Sequence, residues 1–463
     1  MLFNSYYFIF VFLPISFLIY YLLNNRGLYF YSKVFIVFAS LVFYSWWNIA
    51  YLPLLLISIM FNFTLGISLS KKSKKNYKKK SILFFGIIIN LLLLAYFKYM
   101  DFFIENFNLI SDSNLPLLEI TLPLAISFFT FQQISYLVDS YKGYTKEYRF
   151  IDYTIFVTFF PQLIAGPIVH HKEMMPQFAD EKNKIINFRN ISMGLFIFSI
   201  GLFKKVIIAD SFSSYVSNGF DIQEKLTFIE AWITSLSYTF QLYYDFSGYT
   251  DMAIGLALLF NIKLPINFNS PYKATNIQDF WRRWHMTLSR FLRDYIYIPL
   301  GGNKGKDLST YTNLLITFFL AGIWHGAGWT FVLWGLLHAF AMIIFKVYSK
   351  LNIKLHFIFA WLITFNFLNI TWIFFRAKEF EDAIKVLKGL IGLNGLGLSS
   401  IMEFKFIILG LFVVLLITIF TKNSIEKIDT FKADFKTLLF ASLIFSISII
   451  FLTRVSEFLY FNF

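Results

Sequence analysis

Cysteine is absent from all 463 residues. Without a thiol the chain forms no disulfide, offers no thiolate to a metal and carries no acyl-cysteine intermediate. Charged residues make up only 15% of the total, and histidine occurs six times. Neither a Walker loop nor a glycine-rich dinucleotide fingerprint is present, which argues against an ATP-driven pump. There is also no internal repeat or heptad array. His, Asp and Glu do not cluster at ligand spacing and no H-E-x-x-H occurs, so no metal site is expected.

What is present is apolar. The composition is 57% hydrophobic and 21% aromatic, more than one soluble domain can bury. Apolar runs long enough to cross a bilayer recur around 3–23, 28–48, 51–69, 81–103, 190–210, 311–350, 356–375, 404–421 and 437–453. The stretches near 121–138, 151–168 and 228–262 are interrupted by Pro, Gly and Asp. Those read as short, broken or re-entrant helices, tolerated only where protein or a water-filled cavity satisfies the freed backbone. The fold expected is an all-α integral membrane protein, a multi-span helical bundle of roughly twelve crossings forming a single polytopic domain over 1–463. The first apolar segment lacks a basic leader and a small-residue cleavage site, so it reads as a retained span.

Lysine plus arginine (41) exceeds aspartate plus glutamate (27), for a net charge of +14. In a soluble protein this would suggest nucleic acid; here the excess sits between apolar runs, and no nucleic-acid partner is expected. "KKSKKNYKKK" at 71–80 belongs in the cytoplasm by the positive-inside rule. Counting back three spans puts the N-terminus outside, and Arg26 and Lys33 then fall inside. Lys422, Lys427, Lys432 and Lys436 mark a further cytoplasmic loop, so the last span runs outward and the tail 454–463 is exterior. Both termini are therefore expected on the exterior, with lysines that set topology and attract anionic membrane lipid.

A charge at membrane depth costs on the order of 2.5–3.5 kcal/mol, which makes each one a functional candidate. In "YTFQLYYDFSGYTDMAIGLAL" (238–258), helical spacing puts Tyr244, Ser247, Gly248, Asp251 and Gly255 on one stripe, with Asp245 beside it. Two readings stay open, close interhelical packing or the lining of a substrate pathway. "DFWRRWHMTLSRFLRDYIYIPLGG" (279–302) reads as an amphipathic interfacial helix. Trp281, Trp284, Leu288, Phe291, Leu292 and Tyr295 recur on one side, Arg283, Arg290 and Arg293 on another. Such arginines clasp phosphates of lipid head groups or of a cofactor such as coenzyme A. Arg290 and Arg293 suit lipid anchoring, whereas the Arg282–Arg283 pair adjoins His285.

Of the histidines, His170, His171 and His356 occupy loop-like or span-end positions and are assigned no role. His338 follows His325 by thirteen residues. On one unbroken helix that is a turn of roughly 220°, which keeps the two from one site. His325, in "LAGIWHGAGWTFVLWG", is flanked by Gly322, Gly326, Ala327 and Gly328, which suggests open space around the ring. A neutral imidazole in an apolar setting is competent as a general base toward an attacking hydroxyl. Bis-histidine haem ligation is the competing chemistry and requires histidines facing each other across two helices.

The phrases "FFPQLIAGPI" (159–168), "YYDFSGYTDMAIG" (243–255), "NFNSPYKATNIQDFWRRWHMTLSRFLRDYIYIPLGGN" (267–303) and "GIWHGAGWTFVLWGLLHA" (322–339) resemble the membrane-bound O-acyltransferases. They are most similar to the bacterial branch that acts in alginate and peptidoglycan O-acetylation and in D-alanylation of teichoic acids. The resemblance implies a ring of helices around a central funnel or tunnel. It implies an acyl group, here acetyl, moved from a cytoplasmic thioester across the inner membrane. The donor would be acetyl-CoA or another acyl thioester as substrate, with no bound cofactor.

The family's invariant histidine falls on His325 and its second histidine on His285. Arg282 and Arg283 would orient the donor, and Tyr244, Asp245, Ser247 and Asp251 would bind or position groups along the path. The tail phrase "FLYFNF" (458–463) is similar to the tyrosine-containing end of an accessory peptide in D-alanyl transfer. On that likeness Tyr460 accepts the acyl group; as an interfacial aromatic belt it would only anchor the tail. The implied partner is a periplasmic O-acetyltransferase or esterase-like protein acting on a cell-envelope polysaccharide, peptidoglycan foremost. A flippase of an acyl carrier or glycan precursor, doing no chemistry, is the alternative.

Overall fold

A computed structural model describes residues 1–71, 76–145, 149–351, 353–453 and 458–459. Among these no strand occurs, and the chain is all-α. Six helices have the length and apolar composition to cross a membrane: Phe8–Asn25, Ile49–Ser70, Tyr77–Ser111, Phe188–Ile222, Trp329–Leu351 and Phe357–Arg376. Three shorter apolar helices, Tyr29–Ser45, Lys405–Phe420 and Phe435–Ile450, accompany them. This is an integral membrane protein.

Local chemistry sets the helix ends. Proline enters the first turn of Leu52–Ser70, where its missing N–H costs little. Gly143 closes Ile126–Lys142 at φ +79°, a left-handed position open to glycine. The Asp434 carboxylate accepts from the Thr437 N–H at 2.9 Å and caps Phe435–Ile450, which holds its pKa below the usual carboxylate value.

Three segments differ from the sequence reading. Residues 311–350 are two helices, Asp307–His325 and Trp329–Tyr348, separated by Gly326 and Gly328 in extended conformation. The stretch 279–302 is likewise broken, into Ile277–Trp281, Met286–Leu292 and a π-turn Arg293–Tyr297. By contrast Phe228–Leu259 is one unbroken helix of 32 residues despite its Gly and Asp. It contains no proline, so no N–H is missing from its interior hydrogen-bond ladder. The stretch 151–168 breaks as expected, at Phe159, before Pro161 starts Phe160–Leu163.

The chain folds as two compact units. The first comprises Met1–Leu202, Tyr249–Pro265 and Phe431–Leu452. Its core is aromatic, with Phe160 edge-on to Phe12 at 5.3 Å and to Phe260 at 5.7 Å. Reciprocal amide bonds between Asn62 and Asn90 (3.1 and 2.7 Å) tie two of its helices, and Gln133 bonds to Asn62 from a third. Gly255 behaves as the small-residue stripe requires. A Cβ there would lie 2.6 Å from the Gly194 carbonyl oxygen, so the two backbones touch.

The second unit comprises Phe203–Gly248, Ile266–Thr430 and the described tail residues Thr453, Phe458 and Leu459. Its centre is a stack of large rings, including Trp284, Trp334 and Trp372, all fully buried. Here Asp307–His325 and Trp329–Tyr348 pack as a hairpin across two glycines. A Cβ on Gly335 would meet the Phe318 carbonyl oxygen at 2.4 Å, and one on Gly322 would meet the Phe331 oxygen at 2.5 Å.

Candidate active site

The second unit brings His285, His325 and His338 onto one aromatic wall. His285 sits in the gap between Ile277–Trp281 and Met286–Leu292, outside the membrane-crossing helices, with φ +41° and ψ 54°. A non-glycine residue in this region is strained, and such strain concentrates at functional sites. The backbone around it is pinned to the preceding segment: Met286 N–H donates to Asn267 O (2.9 Å) and Asn269 N–H to Arg283 O (2.9 Å). The turn drives the ring inward, where it is 0% exposed and edge-on to Phe246 at 4.8 Å.

Hydrogen bonding assigns the tautomer of that ring. His285 Nδ1 lies 3.3 Å from Asn267 Oδ1, which also takes the Thr287 N–H (3.3 Å) and hydroxyl (2.6 Å). Because the Thr287 N–H can only donate, the Asn267 atom is the oxygen, and Nδ1 must donate to it. The lone pair is then on Nε2. Burial pushes the His285 pKa down to about 3, so the ring stays neutral at physiological pH.

His325 ends its helix as Gly326 turns extended. Its ring, 3% exposed, is held by Trp324 (4.8 Å), Trp334 (5.0 Å) and Phe375 (5.1 Å) between centroids. Trp324 also reaches His285, at 6.3 Å. The open space expected from the neighbouring glycines is filled instead. A Cβ on Gly326 would fall 2.1 Å from the Phe331 ring, and Gly322 is used for helix contact.

The separation of His325 from His338 does not hold either. With the helix broken after His325, both rings pack on Trp334, His338 at 4.8 Å. His338 Nδ1 accepts from the Trp281 indole N–H at 3.3 Å. Both imidazoles pack closely against the Trp334 indole and do not line an open cleft, which disfavours the haem reading. Trp324, Trp334, Phe375 and Asn267 were not singled out from sequence, Trp281 was read only as part of an apolar helix face and His338 was held apart from His325; the G-A-G break after His325 was the available signal.

Below Trp281 a cavity of about 480 Å³ opens, lined by Gln278, Ser289, Arg293, Asn303 and Lys346 among others. The Lys346 ammonium donates to Asn303 Oδ1 at 2.9 Å, and Arg293 pairs with Asp294 at 2.7 Å. Arg282 is exposed, and Arg283 is held by Asp279 at 3.0 Å.

The remaining candidates do not share one place. Tyr244 bonds to the Thr418 hydroxyl at 2.8 Å, and Ser247 is buried in the second unit. Asp251 is buried in the first unit, so the stripe of the long helix is divided between the two. Asp245 pairs with Lys205 at 2.7 Å, a residue not singled out from sequence. Tyr460 lies outside the described residues.

Comparison with known proteins covers both histidine segments. The family model described as the membrane-bound O-acyltransferase family matches residues 41–380. The peptidoglycan O-acetyltransferase of Helicobacter pylori is 49% identical over 100% of this chain and 98% of its own length. The probable alginate O-acetylase AlgI of Pseudomonas aeruginosa is 38% identical, covering 87% of this chain and 77% of its own. The teichoic acid D-alanyltransferase of Bacillus subtilis is 28% identical, covering 56% and 69%.

Proposed function

The chain belongs to the membrane-bound O-acyltransferase family and is an acyltransferase; from that premise we propose that it supplies acetyl groups for O-acetylation of peptidoglycan. The observation that carries the choice of polymer is end-to-end likeness to a peptidoglycan O-acetyltransferase at 49% identity, against 38% for the alginate relative. The donor is acetyl-CoA or another acyl thioester on the cytoplasmic side of the inner membrane. A periplasmic O-acetyltransferase or esterase-like protein completes delivery, and both termini face the periplasm.

His325 acts as general base. Its imidazole takes the proton of the acceptor hydroxyl as that oxygen bonds to the acyl carbon; the C–S bond breaks, and the departing thiolate takes the proton back from the imidazolium. The acceptor is the Tyr460 phenol or a hydroxyl of the partner. His285, neutral and in ring contact with Trp324, orients a donor group. Arg283 is engaged by Asp279 and Arg293 by Asp294, so the cationic residues fitted to a phosphate-bearing donor are Lys346 at the cavity and exposed Arg282. From Trp281 in that cavity a run of ring contacts leads through His338 and Trp334 to His325. The rings enclosing His325 must part for the acyl group to reach it.

Turnover of labelled acetyl-CoA by purified protein tests the proposal. Activity is expected in the parent and absent in His325→Ala at equal protein yield; acetyl transfer by the variant at the parent rate would remove His325 from the chemistry.

A further inference from the structure

Asp245 lies in the second unit, 1% exposed, in the middle of a helix. Its Oδ1 is 2.7 Å from Lys205 Nζ, and the same ammonium is 2.7 Å from Asp210 Oδ1. One lysine thus serves two acids. A buried ion pair is a poor device for stability, because desolvation offsets most of the attraction, so its retention asks for another reason. The second oxygen supplies one. Asp245 Oδ2 accepts the backbone N–H of Leu459, 214 residues away in the C-terminal tail, at 3.0 Å.

The neighbouring tail residue is inserted as well. Phe458 is 2% exposed and packs against Phe246 at 6.1 Å. Phe246 in turn is edge-on to His285 at 4.8 Å. Two adjacent residues of one helix, Asp245 and Phe246, therefore hold two adjacent residues of the tail. One does so by a charge-assisted hydrogen bond and the other by ring packing, on the wall that carries His285.

We infer that Asp245, oriented by Lys205, is the positioning residue that docks the C-terminal tail beside the histidine wall. Lys205 fixes one carboxylate oxygen so that the other faces the tail, and Asp210 shares the ammonium. The bond is to backbone, so it fixes the register of the tail and not the identity of residue 459. Its consequence for acyl transfer rests on the tail-acceptor reading above; the docking itself does not.

The absence of native cysteine makes this testable. Leu459→Cys places a single thiol on the tail and keeps its N–H, and maleimide labelling in native membranes reads how often the tail leaves. Adding Asp245→Ala is expected to raise the labelling rate at least about tenfold, because a buried acceptor is lost. Asp245→Asn, whose amide oxygen still accepts an N–H, is expected to stay within about threefold of the parent. Labelling of Asp245→Ala at the parent rate overturns the docking. If Asp245→Ala does not accumulate, Leu459→Pro removes the donor and leaves the ion pair intact. Read through a thiol at Phe458→Cys, it should show the same rise over its own parent, and an unchanged rate overturns the docking equally. Faster labelling with peptidoglycan acetylation preserved would uphold the docking and sink the tail-acceptor reading.

Discussion

His325 and His338 pack on the same indole, that of Trp334, with ring centroids 5.0 and 4.8 Å from it. The two are not equivalent. The Nδ1 lone pair of His338 is occupied by the Trp281 N–H, which makes His338 a structural support for the wall. His338→Phe keeps a ring in place and strands that indole donor, at a cost of about 1–3 kcal/mol. The variant should show a lowered Tm in detergent with acetyl transfer retained, whereas His325→Ala should fold and transfer nothing. Equal loss of transfer in both would place His338 in the chemistry.

The acid limb of stability offers a second check, on His285. Its folded pKa of about 3 lies below the 6.5 of a free imidazole, so the unfolded chain binds the extra proton between those values. Stability from the neutral ring is complete above about 6.5 and is lost as pH falls toward 3. Replacing the ring by the neutral amide in His285→Gln should flatten the fall in Tm between about pH 6.5 and 4 relative to the parent. Parallel curves would mean the ring is not buried neutral. It also follows that an ionisation near neutrality in the rate profile belongs to some group other than His285.

Glycine packing in the histidine hairpin is open to the same treatment. Gly335→Ala would press a methyl to 2.4 Å from the Phe318 carbonyl oxygen, backbone that moves only if the two helices separate. Overpacking of this kind costs about 1–3 kcal/mol. Gly326→Ala would instead meet the Phe331 ring, a side chain that can swing away. Thermal unfolding should therefore separate the two variants, with Gly335→Ala the less stable. Thioester turnover should fall in Gly326→Ala if Phe331 and Phe375, 5.2 Å apart, shape the entry to His325.

Much of this architecture was legible in the sequence because hydropathy is a sum over many residues. The apolar runs around 3–23 and 51–69 reappear as Phe8–Asn25 and Ile49–Ser70. What escaped were single-residue events. A helix-period pattern over 279–302 does not announce that His285 turns left-handed, because the pattern counts side chains and the break is made by backbone bonds from Asn267 and Asn269. The run 311–350 read as continuous because two glycines are near neutral in hydropathy and do not interrupt it, yet they end one helix and start the next, which brings His338 onto Trp334 beside His325. Lys205 escaped for a different reason. Its partner is forty residues away, and pairing at that distance is set by tertiary structure alone.

The tail allows the most direct chemical prediction. If Tyr460 accepts the acetyl group, its phenol carries an ester whose leaving group is better than an alkoxide, so onward transfer to a sugar hydroxyl is downhill. Such an intermediate is drained by the periplasmic partner and should accumulate when that partner is deleted. Mass analysis of the C-terminal peptide from native membranes is expected to find a fraction heavier by one acetyl group. That fraction should grow in the partner-deleted strain, and it should vanish in His325→Ala and Tyr460→Phe. Ester found in His325→Ala would mean the acetyl group reaches the phenol without His325. Full peptidoglycan acetylation in Tyr460→Phe would mean the acceptor hydroxyl belongs to the partner.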